Sequence, residues 1–220
     1  MNTEHTATTG QQPGPDELGV GMRFSIHPHC DDFARVILDS LAEAEAGGLT
    51  EHLEITTDEV STYVGARQAP AEQHLARYLA GVIAAASRHS GGGHIASHVL
   101  LSRGCPGEVS CDLSVTGLGQ AAPVQVPATG IDAVAHWSLY PLLDGGSEDG
   151  DHMPIIENAI ACAQQRGTAT RSVHYATTLS GDVAEVLTTA VDAWTEVGTA
   201  VPHVVSHLTI SVGSPTAGRV

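Results

Sequence analysis

The chain has 220 residues, of which 42% are hydrophobic and only 4% aromatic, and its formal charge is −16, from 25 acidic against 9 basic residues. That length allows one large domain or two small ones, with cores built mostly of Val, Leu, Ile and Ala. The acidic balance excludes the basic footprint that a nucleic-acid partner needs, and it would attract a cationic ligand.

Residues 1–18 are rich in Thr, Gln, Gly and Pro and lack periodicity, which predicts a disordered tail. The tail has no apolar stretch of the kind that a signal peptide carries, and no apolar run of the chain is long enough to span a bilayer. A cytoplasmic protein without membrane insertion is expected. Residues 22–27 read as a strand that Pro28 ends, and Asp31 and Asp32 as the cap of a helix. In that helix Phe33, Val36, Ile37, Leu41 and Ala44 recur as one apolar stripe, and Gly47 and Gly48 stop it. Residues 53–57 and 60–65 read as two short strands joined by a polar turn. Pro70 suits the first turn of a second helix, whose buried face is Leu75, Tyr78, Leu79, Val82, Ile83 and Ala86. Gly91, Gly92 and Gly93 end it, and residues 94–102 form the last strand.

The same order then returns. Residues 134–140 read as a strand, and an acidic, glycine-rich insertion at 144–150 as a mobile loop. A helix follows with Met153, Ile156, Ile160 and Ala163 in phase, stopped by Gly167. Strands are expected at 169–175 and 176–179. Asp182 caps a helix that turns Val183, Val186, Leu187, Ala190, Val191 and Trp194 inward, and residues 203–212 close the unit. This is a duplication. His94, Ser97, His98 and Ser102 match His203, Ser206, His207 and Ser211 without a gap, and Gly104 and Pro106 match Gly213 and Pro215. Upstream, Phe24-Ser25-Ile26-His27-Pro28 is echoed by Trp137-Ser138-Leu139-Tyr140-Pro141, and Glu59-Val60-Ser61-Thr62 more weakly by His174-Tyr175-Ala176-Thr177. The expected layout is a first repeat over 19–110, a linker over 111–131 that holds a short strand near 112–115, and a second repeat over 132–216.

A β-α-β-β-α-β unit predicts an α+β fold: tandem ferredoxin-like repeats, each with two helices on one face of an antiparallel sheet. The other face is left bare and must find a partner or a ligand.

Few residues suggest chemistry. Cys30, Cys105, Cys111 and Cys162 form no CxxC pair and read as free thiols. His27, His29 and Cys30 have metal-ligand chemistry, which motivates one alternative, a metal- or small-molecule-responsive regulatory module. His94 and His98 share a strand face, as do His203 and His207, and read as polar rungs hydrogen-bonded across strands. No GxSxG elbow, no glycine-rich phosphate loop before a helix and no carboxylate pair stands out, so no enzyme is expected. What repeats is small and polar: Ser25 and Ser138 on the first strands, and Ser61-Thr62 and Ala176-Thr177 at the third. Short hydroxyls and backbone amides suit a flat heteroaromatic ring. They equally suit the ordinary population of a sheet, and the pattern does not separate the two.

These residues carry a resemblance. Residues 21–28, Asp31-Asp32-Phe33, Val60-Ser61-Thr62 and Gly104-Cys105-Pro106-Gly107, with Ser138-Leu139-Tyr140-Pro141 and Val173-His174-Tyr175-Ala176, resemble the YkoF family over nearly the whole chain after the tail. The resemblance implies a non-catalytic protein that binds thiamine or its hydroxymethylpyrimidine moiety (HMP), without a cofactor. It implies one site per repeat, a homodimer, and a role in salvage or transport of thiamine precursors. Carried over by position, Thr62 and Thr177 hydrogen-bond the pyrimidine, backbone groups near Ile26 and Leu139 pair with the ring edge, and Ser61 and Ala176 line the sites. The chain departs from the family at His27, where a Tyr is usual, at Thr177, where a Ser is usual, and in the insertion at 144–150.

Overall fold

In the computed structural model of the chain, residues 14–15, 18–104, 121–142 and 153–216 are described. The expected insertion, the strand at 112–115, Cys105, Cys111 and nearly all of the expected tail lie outside them.

The elements are β1 (Gly21–Pro28), α1 (Phe33–Ala46), β2 (Leu53–Thr57), β3 (Thr62–Ala66), α2 (Ala71–His89), β4 (Ile95–Arg103), β5 (Asp132–Leu142), α3 (Met153–Gln165), β6 (Ala169–Val173), β7 (Ala176–Asp182), α4 (Val183–Val197) and β8 (His203–Val212). The α+β fold and its two ferredoxin-like repeats are as expected. The repeats share one eight-stranded antiparallel sheet in the order β2-β3-β1-β4-β8-β5-β7-β6. Each repeat alone would leave its last strand as an open edge, and pairing β4 with β8 closes both edges at once.

That seam is a local twofold. Val99 pairs with Leu208, its own repeat equivalent, and on either side His98 pairs with Thr209 and Leu100 with His207. The repeated glycines serve the seam's ends. Gly104 and Gly213 both hold left-handed φ, +90 and +61. A Cβ on Gly104 would fall 1.8 Å from the carbonyl oxygen of Pro202, just before β8, and one on Gly213 would fall 3.0 Å from that of Gly93, just before β4. Only glycine takes that φ at no steric cost and lets the neighbouring chain approach so closely.

Alternation along the strands puts Phe24, Ile26, Val99, Leu101, Trp137, Leu139, Leu208 and Ile210 on the face that the helices cover. The predicted inner stripes of α2 and α4 are buried throughout, and they join one core that spans both repeats. α1 and α3 differ. Of the α1 stripe only Val36 and Ala44 are fully buried, and Ser40 joins them with its hydroxyl bonded to the Val36 carbonyl at 2.5 Å. In α3 only Ala159 and Ala163 are buried, and Met153 is exposed. These two helices therefore stand less tightly on the sheet than α2 and α4 do.

Asp32 precedes α1, but its side chain makes no cap bond and instead meets Arg35 at 3.2 Å. Asp182 does cap α4: Oδ1 accepts from the Ala184 N–H, and Glu185 reaches back to complete the box. The third strand begins at Thr62, two residues later than its apolar start suggests. Asp58 Oδ1 accepts the N–H groups of Val60 and Ser61, both at 2.9 Å, and folds that stretch into a turn that leaves Val60 81% exposed.

Candidate functional site

β1 is longer than β3. Their pairing ends at Phe24 with Thr62, while β1 runs on to Pro28 against β4 alone. His29 N–H donates to the His94 carbonyl, so alternate residues of β1 direct their backbone groups to β4. The N–H and C=O of Ile26 consequently point the other way, past the end of β3. A free stretch of strand edge is left there beneath α1.

A cavity of about 330 Å³ fills that space. Its floor is Phe24, Ile26 and Pro28 of β1, its roof is Phe33, Ile37 and Leu41 of α1, and its side wall runs from Thr57 to Thr62. The α1 stripe is incompletely buried because this gap lies under it. Phe33 is 54% exposed at the mouth. The volume suits a small ring, and the wall is mixed: apolar above and below, polar at one side.

Three expected site residues meet here. Ile26 supplies the free backbone edge. The Thr62 side chain is buried at the end of β3, where its hydroxyl lies 3.0 Å from that of Thr57. Ser61 also lines the cavity, but its hydroxyl accepts from Arg23 Nη1 at 2.8 Å. Arg23 bonds Asp58 from the same nitrogen, also at 2.8 Å, and so fastens the β2–β3 turn to β1. The Arg23 guanidinium, with the two turn amides, holds the Asp58 carboxyl down at about 2. Arg23, Thr57, Asp58, Glu59 and Phe33 escape sequence reasoning because nothing in their spacing shows that the turn folds over the strand edge. The early Asx turn at Asp58 is the one local signal that points to it.

The other three expected residues lie at the equivalent place in the second repeat. Thr177 pairs with Trp137 as Thr62 pairs with Phe24, and β5 runs on past it through Leu139. Leu139 and Thr177 are buried and Ala176 is half-buried. The turn there is tighter, because Val173 pairs directly with Ala176, and Tyr175 adopts φ +65. The Ser138 hydroxyl donates to the Tyr175 carbonyl at 2.8 Å and fastens this turn to its first strand. The insertion expected at 144–150 lies outside the described residues.

The histidines lie mainly on the other face of the sheet. His94 bonds Ser211 at 3.0 Å, His98 bonds Thr209 at 3.2 Å and His203 bonds Ser102 at 3.3 Å, the cross-strand rungs that alternation suggests. His27 bonds Ser25 at 2.9 Å and meets the His98 ring edge-on at 5.5 Å. Burial, and then the neighbouring His98 and His29, lower its pKa below the ordinary imidazole value. His29 packs on His94, and Cys30 packs on the core. Among the described residues no group of three or more His, Cys, Asp or Glu could hold a metal ion, so His27, His29 and Cys30 are not brought together as ligands. Cys30 and Cys162 are free thiols, and no helix among the described residues is long and apolar enough to cross a membrane.

Two comparisons bear on this arrangement. Residues 132–217, essentially the second repeat, match the model of the YKOF-related family. Over 198 residues the chain is 29% identical to YkoF of Bacillus subtilis (strain 168), which is named, provisionally, as an HMP/thiamine-binding protein; the match covers 89% of this chain and 91% of YkoF.

Proposed function

As a relative of the YkoF family along most of its length, this chain is, we propose, a non-catalytic protein that binds thiamine through its pyrimidine ring, or free HMP, with one site in each repeat. The observation that carries the reading is the cavity of about 330 Å³ under α1, where a free strand edge faces a buried hydroxyl. An aminopyrimidine carries donors and acceptors along one edge, and a strand edge offers both at fixed spacing. The N–H and C=O of Ile26 would pair with that edge, the Thr62 hydroxyl would add a further contact, and Phe33 would cover the ring face. Leu139, Ala176 and Thr177 would do the same in the second repeat. Nothing in this arrangement supplies an acid–base pair, and the reading assigns no reaction to it. A binding protein of this kind suits salvage or transport of thiamine precursors. A homodimer that covers the open sheet face belongs to the same reading.

Calorimetric titration of the full chain with thiamine and with HMP tests it. Saturable binding of both, with up to two ligands per chain, is expected. Thr62→Val together with Thr177→Val should weaken binding by about tenfold or more, since each change removes a buried hydrogen bond to the ligand. Unaltered binding in the double variant would show that the site lies elsewhere, and no binding to the folded wild-type chain would reject the reading. Sedimentation at several concentrations checks the dimer.

A further inference from the structure

The rim of the first cavity carries an asymmetry of charge. Glu59 stands at the mouth and makes no hydrogen bond or ion pair with any described residue. Asp58 beside it is already neutralised by Arg23. Among the described residues no Lys or Arg lines the cavity, and the guanidinium of Arg23 is engaged by Asp58 and Ser61. A turn at such a position often offers free backbone amides to an anion. Here the amides of Val60 and Ser61 are both taken by Asp58 Oδ1, at 2.9 Å each. Among the described residues the mouth therefore has a free carboxylate and no free cation, and the Val60 and Ser61 amides are not open to an anion. His27 also borders the cavity, but its ring lies on the opposite face of the sheet, bonded to Ser25 and edge-on to His98, and brings no charge to the mouth.

We infer that the first cavity selects an unphosphorylated, cationic ligand, and that Glu59 is the residue that makes the selection. The inference rests on the binding function proposed above and adds the class of ligand. With the pyrimidine held at the strand edge, the rest of the molecule leaves through the mouth. A thiazolium there is attracted by Glu59, whereas a phosphate ester meets like charge and finds no free cation among the described residues. In the second repeat Val173 and His174 stand in place of Asp58 and Glu59, so the selection belongs to the first site alone.

The test is calorimetry on the full chain bearing Thr177→Val, which isolates the first site. The ligands are HMP, thiamine and thiamine diphosphate, each at low and at high salt. At low salt thiamine should bind about threefold more tightly than HMP, the size of one exposed charge interaction, and the gap should close in high salt. Thiamine diphosphate should bind about tenfold more weakly than thiamine, as like charges across a contact require. Glu59→Gln should bring thiamine down to the level of HMP. Equal binding of thiamine and its diphosphate overturns the inference while leaving the pyrimidine reading in place, and so does an equal loss of HMP and thiamine binding in Glu59→Gln. Failure of HMP and thiamine alike to bind the unmutated chain overturns both.

Discussion

Imidazoles placed next to imidazoles shape this protein's response to acid. His27 faces His98 across the strands and has His29 nearby; His94 packs on His29, with Ser211 on its other side; His74 packs on His52 near Arg77. In each of the three, burial first and the neighbouring imidazoles second, with Arg77 beside His74, lower the pKa. A histidine of lowered pKa binds a proton less readily in the folded chain than in the unfolded one, so stability is full above the unfolded value of about 6.5 and falls as the pH drops below it. The urea midpoint should therefore decrease between about pH 7.5 and pH 5.5, before the carboxylates titrate. His98→Ala removes a neighbour of His27 and should reduce that decrease; a midpoint flat across the range would show that the rings do not interact. The cross-strand rungs were legible, because alternation alone puts His94 and His98 on one face. The contact of His29 with His94 was not, since His29 lies beyond the strand, where its direction is set by the turn into α1.

Among the elements, α4 is the best defined from its own residues, and the reason lies at Asp182. One carboxylate caps the helix through Ala184 and also receives Thr129, by N–H and by hydroxyl, and the Gly130 N–H at 2.6 Å. Burial raises the pKa of this carboxyl, but those bonds outweigh it and leave the pKa below its ordinary value. The cap thereby pins the end of the segment at 121–131, whose middle is held by Asp192 on Val124 and by Gln73 on Gln125. Asp182→Ala should cost about 2 kcal/mol, a cap plus amides left unpaired. A loss below about 0.5 kcal/mol in chemical unfolding would show that the segment holds itself. α1 shows the converse. Its stripe was plain in the sequence, yet it packs incompletely, because a helix's periodicity tells which side faces inward and not how closely that side is approached.

At the scale of the whole molecule, one buried guanidinium ties the repeats together. Arg103 at the end of β4 forms an ion pair with Glu72 of α2, Nε to Oε1 at 3.1 Å, and the two residues are only 3% and 5% exposed. The same guanidinium donates to the Thr195 carbonyl on α4 at 2.7 Å and lies 5.9 Å from the Trp194 ring centre. The first repeat thus reaches into the second repeat's helix layer. Removing one partner strands the other charge in the core, and Glu72→Ala should cost about 3–5 kcal/mol. Glu72→Leu with Arg103→Met should recover much of that loss, since the volume is kept and no charge is left. If the single change proved harmless in chemical unfolding, Glu72 would not be what holds that guanidinium in the core.

The duplicated β-α-β-β-α-β order, the inner faces of α2 and α4, the Asp182 cap and the landmark pairs Phe24 with Trp137 and Thr62 with Thr177 all follow from the amino-acid sequence. They are local or periodic, and a repeated chain states them twice. Tertiary structure alone decided three things. The two sheets merge at β4 and β8, because edge pairing depends on which edges come within reach. The cavity forms because β1 outlasts β3 beneath an incompletely packed α1, a difference of lengths that no motif records. Glu59 stands at its mouth without a partner among the described residues, because Arg23, far away in the chain, reaches Asp58 instead. Spacing along the chain carries periodicity well, but it does not show which side chain of a turn a distant cation will choose.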